Sequence, residues 1–199
     1  MLIIVEAGHL PGSDSGAVGG PLPPTEASVT GQIARAMVAL SGNGVAYAPK
    51  RRYGRNDGGL VRWLHDYRLR AKAGEVDVML SIHLDSAGPT RQGLAAYYWR
   101  NDPDLARCIA SHNLALCISD CAAGRVLTAP YLRRTARGDV PFTPGVLVRT
   151  AKIACCLIEV ENIANPQCEA EMMATEWAGK RAAVIDCGVR RWLDERRDL

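Results

Sequence analysis

Apolar positions recur along this chain with two different periods, and each switch of period marks an element. Residues 2 to 6 form a short apolar, β-branched run that ends at Ala7-Gly8-His9, the pattern of a buried strand opening into a loop. Five Gly and four Pro between Gly8 and Pro24 exclude regular structure there, and a loop of that length in a compact domain is usually functional or disordered. Thr25 offers an N-cap, and Val29, Ile33, Met37 and Leu40 recur at helical spacing, so a helix is predicted over 26–41, stopped by Gly42 and Gly44. Val45 to Ala48 reads as a short second strand. Leu60, Leu64 and Tyr67 place a helix over 59–73, and the apolar run Val76 to His83 is a third strand with Asp85 and Ser86 just beyond it. Gly93 to Trp99 is a fourth strand.

Asp102-Pro103 reads as a cap followed by a proline at the first helical position, with Ala106, Ile109, Ala110, Leu114 and Cys117 giving the next helix its apolar face. Residues 122–145 read as an irregular surface excursion. Ile153 to Val160 is the last strong strand, and 166–197 is helical, with Ala178, Ala182, Ile185, Val189 and Trp192 on its inner side. Strands alternating with helices, without a linker or repeat, predict one α/β domain over 1–199. Its single twisted, mostly parallel (mixed) sheet carries helices on both faces.

Composition narrows the function classes. A net charge of +3, from 24 Lys and Arg against 21 Asp and Glu, is too small and too scattered to predict nucleic-acid binding. Seven cysteines without a disulfide spacing read as reduced thiols, and with no C-x-x-C pattern they do not suggest a structural metal site. The N-terminal apolar run lacks a basic lead-in and is too short for a signal peptide or a membrane span. Synthesis in the cytoplasm, without insertion into a membrane, is therefore expected.

Polar residues stand where the apolar strands end: His9 after the first, His83 at the end of the third, and Glu159 inside the last. Glu26 opens the first helix, where the exposed N–H groups favour a carboxylate. Two imidazoles and one carboxylate are a ligand set for a catalytic Zn²⁺. Each residue also has a plain structural reading: His9 satisfying a loop, His83 as a hydrogen-bonded core histidine, Glu26 as an ordinary first-turn acid. Glu159 is harder to explain that way, because it follows the apolar Cys155-Cys156-Leu157-Ile158 and a carboxylate leaving such a strand needs a partner or a task. His65 and His112 read as surface or core-edge histidines.

The stretch Ile4-Val5-Glu6-Ala7-Gly8-His9, then Asp14-Ser15-Gly16-Ala17, Glu26, Ser81-Ile82-His83 and Leu157-Ile158-Glu159 ending in Asn165 resembles the zinc-dependent N-acetylmuramoyl-L-alanine amidases of the Amidase_3 type. Gly93 to Tyr98 and Val146-Leu147-Val148-Arg149-Thr150 extend the likeness. The resemblance implies a peptidoglycan hydrolase that cuts the amide between N-acetylmuramic acid and L-alanine. It implies Zn²⁺ held by His9, Glu26 and His83, and Glu159 as the catalytic acid and base. Two departures stand out. Asp85 follows His83 where many members carry Ala-Asn, adding negative charge near the metal. Glu161 follows Glu159 in place of a small or aromatic residue, and on a continuing strand it projects to the same side as Glu159, so the two carboxylates would raise each other's pKa. Both are candidates for substrate contact or for support of the site from behind.

The resemblance covers a catalytic domain alone, so no separate wall-binding domain is expected. Action on the cell wall, in the periplasm after release, fits a phage-type endolysin and equally a bacterial remodelling enzyme. The clusters Lys50 to Arg55 and Arg133-Arg134 read as solvated loops, or as a basic rim for the acidic stem peptide. The rival readings are a zinc carboxypeptidase or endopeptidase acting on stem peptides, and a catalytically silent wall-binding module, against which the four intact site residues argue.

Overall fold

The computed structural model describes residues 1–9, 15–19, 24–49, 74, 76–86, 88–98, 102–123, 134–135, 138–139 and 153–197. Along the chain the elements are β1 (Leu2–Ala7), α1 (Glu26–Ala39), β2 (Ala46–Pro49), β3 (Val78–Asp85), β4 (Ala95–Tyr97), α2 (Leu105–Ala123), β5 (Arg134–Thr135), β6 (Gly138–Asp139), β7 (Ala154–Asn162), α3 (Pro166–Met172) and α4 (Trp177–Arg197). One five-stranded sheet has the order β2-β1-β3-β7-β4, and β5 and β6 form a separate two-residue antiparallel pair. The first four strands of the sheet run parallel, and β4 closes the edge antiparallel to β7. The mixed, mostly parallel sheet is the one expected from the sequence.

Side-chain alternation divides the sheet into two faces. Ile3 and Val5, then Val78, Leu80, Ile82 and Leu84, then Ala154, Cys156, Ile158 and Val160 share one buried cluster with the inner stripes of α1, α2 and α4. The alternate positions of the same strands carry Glu6, Ser81, His83 and Glu159, so the polar residues stand on the other face. Among the described residues the three long helices therefore lie on one face. The helix expected over 59–73, with His65, lies outside the described residues, as do Asp14, the Lys50–Arg55 cluster and Val146–Thr150.

Several boundaries move. β3 starts and ends two residues later than Val76–His83, which puts His83 inside the strand rather than at its end. β7 continues to Asn162, so Glu159 and Glu161 are both strand residues. The second long helix begins at Leu105, and its cap is Asp104, whose carboxylate accepts the Arg107 N–H at 3.1 Å. Asp102 instead accepts the Asp104 N–H at 2.9 Å and pairs with the Arg107 guanidinium. The helical stretch 166–197 is two helices separated by a turn after Met172, and buried Met172 and buried Trp177 belong to one core. All seven cysteines are free thiols, and no described helix is long and apolar enough to cross a membrane. His112 packs its ring against Tyr98, centroids 4.7 Å apart, in keeping with a core-edge histidine.

Candidate metal centre

Each residue of the site is delivered by a local feature of the sequence. Thr25 caps α1 through a reciprocal box with Ser28: the Ser28 N–H donates to Thr25 Oγ1 at 3.2 Å, and the Thr25 N–H to Ser28 Oγ at 3.1 Å. That cap fixes Glu26 in the first turn, where its side chain is 5% exposed. The loop before it folds back on the helix start. Ala17 donates its N–H to Glu26 Oε2 at 2.9 Å, and its carbonyl accepts the Glu26 N–H at 2.9 Å. From the sheet, the Leu84 N–H donates to Glu26 Oε1 at 3.0 Å.

The two imidazoles converge on this anchored carboxylate. His83 Nδ1 lies 2.9 Å from Glu26 Oε1, and His9 Nε2 lies 3.3 Å from Glu26 Oε2. The rings meet edge to face, with centroids 5.4 Å apart, and one ligand atom from each of the three side chains falls within 4.8 Å of the others. His9 takes a left-handed backbone, φ 62°, a conformation that costs a non-glycine residue about 1–3 kcal/mol and that clusters at functional sites. Burial pushes the Glu26 carboxyl up, but the hydrogen bonds from His83, Ala17 and Leu84, with the charge of His83, outweigh it and hold the group below the usual carboxylate range. For His83, burial lowers the pKa, while the bond to Glu26 and the charges of Glu159, Glu26 and Glu6 raise it further, so the net shift is upward. The cluster thus presents an anion between two imidazoles that are 28% and 20% exposed, a donor set that fits a divalent zinc ion.

Two glycines make the convergence possible; both stand in the segments that carry the resemblance, where the sequence assigns them no role of their own. A Cβ on Gly8 would sit 2.5 Å from His83 Nδ1, and one on Gly16, at φ +65°, would sit 2.5 Å from Glu26 Oε2 and 2.5 Å from His9 Cδ2. The cradle around the three donors is therefore shaped by missing side chains. The only trace in the sequence is a glycine beside each ligand segment, which a loop rich in glycine disguises.

Glu159 joins the cluster through the sheet. It pairs in register with His83 on β3 and with Ala95 on β4, is half-buried, and its charge is felt at the His83 ring. Behind it, Glu6 accepts a hydrogen bond from Ser81 Oγ at 2.6 Å. Asp85 ends β3 beyond a break in register, and its carbonyl accepts the Ile163 N–H at 2.8 Å. Glu161 is fully buried, where its carboxylate pairs with Arg181 and accepts the N–H groups of Gly93 and Asn162. Arg181 rather than a second carboxylate is its charged neighbour, so Glu161 serves the framework that holds β4 and its loop and offers no surface to a substrate.

Comparison with known proteins gives the fold and the family. No curated protein sequence matches the chain. Among solved structures it is similar to the CwlD amidase of Clostridioides difficile, solved in complex with the GerS lipoprotein, at 19% identity over 97% of this chain and 98% of that one, with a TM-score of 0.76. An N-acetylmuramoyl-L-alanine amidase from Clostridium difficile 630 is 22% identical over 97% and 96% of the two chains, with a TM-score of 0.72. The amidase AmiC2 of Nostoc punctiforme is 22% identical over 98% and 97%, with a TM-score of 0.71. At these identities the likeness is one of fold. Residues 3–191 match the model of the Amidase_3 family, described as N-acetylmuramoyl-L-alanine amidase, and the chain belongs to that family.

Proposed function

We propose that this amidase is zinc-dependent, with His9, Glu26 and His83 holding the ion and Glu159 serving as the catalytic acid and base. The observation that carries the reading is the convergence of three ligand atoms, from β1's end, α1's first turn and β3, to within 4.8 Å of one another. Zn²⁺, when bound, polarises the scissile carbonyl and lowers the pKa of water toward about 7. Glu26 fixes the direction of both imidazoles, and its bonds to Ala17 and Leu84 keep it ionised and in place. Glu159, one strand over from His83, takes a proton from the attacking water. It returns that proton to the amide nitrogen as the bond to N-acetylmuramic acid breaks, so the stem peptide leaves with a free L-alanine amine. No covalent intermediate with the protein forms. The site of action we propose is the cell wall, outside the compartment of synthesis.

The test is mass spectrometry of soluble products from purified sacculi. Stem peptides beginning with L-alanine, alongside peptide-free glycan, are expected. Shortened stems still attached to muramic acid would make the enzyme a peptidase, and no release would return the wall-binding reading. Glu159→Gln is expected to keep one zinc per chain by elemental analysis while turnover falls about 10²–10⁴-fold, the usual contribution of a positioned acid or base. A variant that cleaves at the native rate would remove Glu159 from the chemistry.

A further inference from the structure

The start of α1 is spliced into the open end of the β1–β3 ladder, and Thr30, which takes no part in the hydrolysis, completes the splice. β1 and β3 pair in parallel as far as Ala7 and Ile82, and the Gly8 N–H carries the ladder one bond further, to the Ile82 carbonyl at 2.7 Å. In a regular parallel ladder the next bond runs from the Leu84 N–H to the Gly8 carbonyl. Here the Leu84 N–H donates to Glu26 Oε1 at 3.0 Å instead, and the Gly8 carbonyl accepts from Thr30 Oγ1 at 2.9 Å. Two side chains one turn apart on α1 have therefore exchanged partners with the sheet.

Thr30 is fully buried, and Gly8 is buried with it. The Thr30 hydroxyl also lies 2.8 Å from the Glu26 carbonyl, a contact common for threonine inside a helix. A hydroxyl has one proton to give. The Glu26 carbonyl already accepts the Thr30 N–H within the helix, whereas the Gly8 carbonyl has lost its ladder donor, so the proton goes to Gly8. Gly8 precedes His9, Ile82 precedes His83, and Glu26 opens the turn that Thr30 closes. One hydroxyl thus ties together the segments that carry all three candidate donors.

We propose that Thr30 is a positioning residue for the metal centre: by satisfying the Gly8 carbonyl, its hydroxyl leaves the Leu84 N–H to hold Glu26, and so sets the affinity for zinc. The inference rests on the reading of His9, Glu26 and His83 as zinc ligands. Without the hydroxyl the Leu84 N–H faces two acceptors, and a buried carbonyl without a donor is costly. The ladder bond then closes on Gly8, and Glu26 Oε1 loses the donor that fixes it from the sheet. Closing that bond restores a regular sheet, so the fold survives while the ligand geometry does not.

The test is the zinc affinity of the folded protein, measured with Zn²⁺ alone in competition with a chromophoric chelator and without substrate. Thr30→Val, which keeps the shape and removes the hydroxyl, is expected to weaken zinc binding about 10–100-fold, the usual weight of a group that orients a ligand from behind, with a native circular dichroism spectrum. Thr30→Ser, which returns the hydroxyl, is expected to recover most of that loss. Should the valine variant fail to fold, Thr30→Ala, a stronger helix former, carries the same expectation. Native affinity in the valine or alanine variant would overturn the inference. So would a serine variant as weak as valine, which would trace the effect to packing of the methyl group, or a failure of both valine and alanine variants to fold, which would make Thr30 a residue of the fold alone. A native protein whose zinc affinity is unchanged by Glu26→Gln would instead overturn the ligand reading, and this inference with it.

Discussion

At the scale of single residues, the site is built as much by what is missing as by its donors. Gly16 turns in the left-handed region and lies against both Glu26 and His9, so any side chain there pays twice, in backbone strain and in contact with two of the three candidate donors. Gly16→Ala is expected to lower zinc content at equal free zinc by tenfold or more, with a near-native circular dichroism spectrum because the change lies in a loop. Native zinc affinity in that variant would show that the cradle yields. His9, Glu26, His83 and Glu159 were legible in the sequence, because a polar residue at the end of an apolar strand or the start of a capped helix stands out against its surroundings. Gly8 and Gly16 were not, since a glycine's importance lies in which atoms approach it from elsewhere in the chain. Strand alternation alone makes Glu161 a neighbour of Glu159 and does not disclose that Arg181, twenty residues on, neutralises it.

At the scale of elements, periodicity located the strands and helices and left their ends loose. The register of β3 against β7 pairs His83 with Glu159, and no single-strand pattern contains that pairing. The break between α3 and α4 has no proline or glycine to announce it. Asn165 caps a short helix that buries Cys168 and Met172 and ends at Met173, and α4 starts afresh at buried Trp177. The packing of α4 on α2 depends on one position that the sequence hides inside a helix. A Cβ on Gly188 would lie 2.4 Å from Ile118 Cα, backbone against backbone, where no side-chain rotation gives relief. In an exposed helix Gly→Ala gains about 0.5–1 kcal/mol. Here overpacking, at about 1–3 kcal/mol or more, wins, and Gly188→Ala is expected to lower the midpoint of urea unfolding. A raised midpoint would mean that the helices slide apart at no cost.

For the whole molecule, the candidate metal centre joins parts of the chain that the sheet and the capped helix bring together from a distance, since Glu26 and His83 are 57 residues apart. An ion bound only in the folded state stabilises it by mass action, about 2.7 kcal/mol when its free concentration is 100 times Kd. For a chain of this length each kcal/mol moves Tm by roughly 2–4 °C, so Zn²⁺ is expected to raise Tm by roughly 5–10 °C and a chelator to reverse the rise. The seven free thiols complicate the sign, because an unfolded chain exposes them as zinc ligands and binding to that state subtracts from the shift. Glu26→Gln separates the two effects. It carries the same thiols and loses only the anion between the imidazoles, so whatever zinc does to its melting comes from the unfolded chain and from residual binding. A shift in the native protein that exceeds that of the variant by several degrees, with turnover lost and restored in step with the metal, is the expected result. Equal shifts in the two proteins would place the zinc on the thiols and remove His9, Glu26 and His83 as its folded-state site.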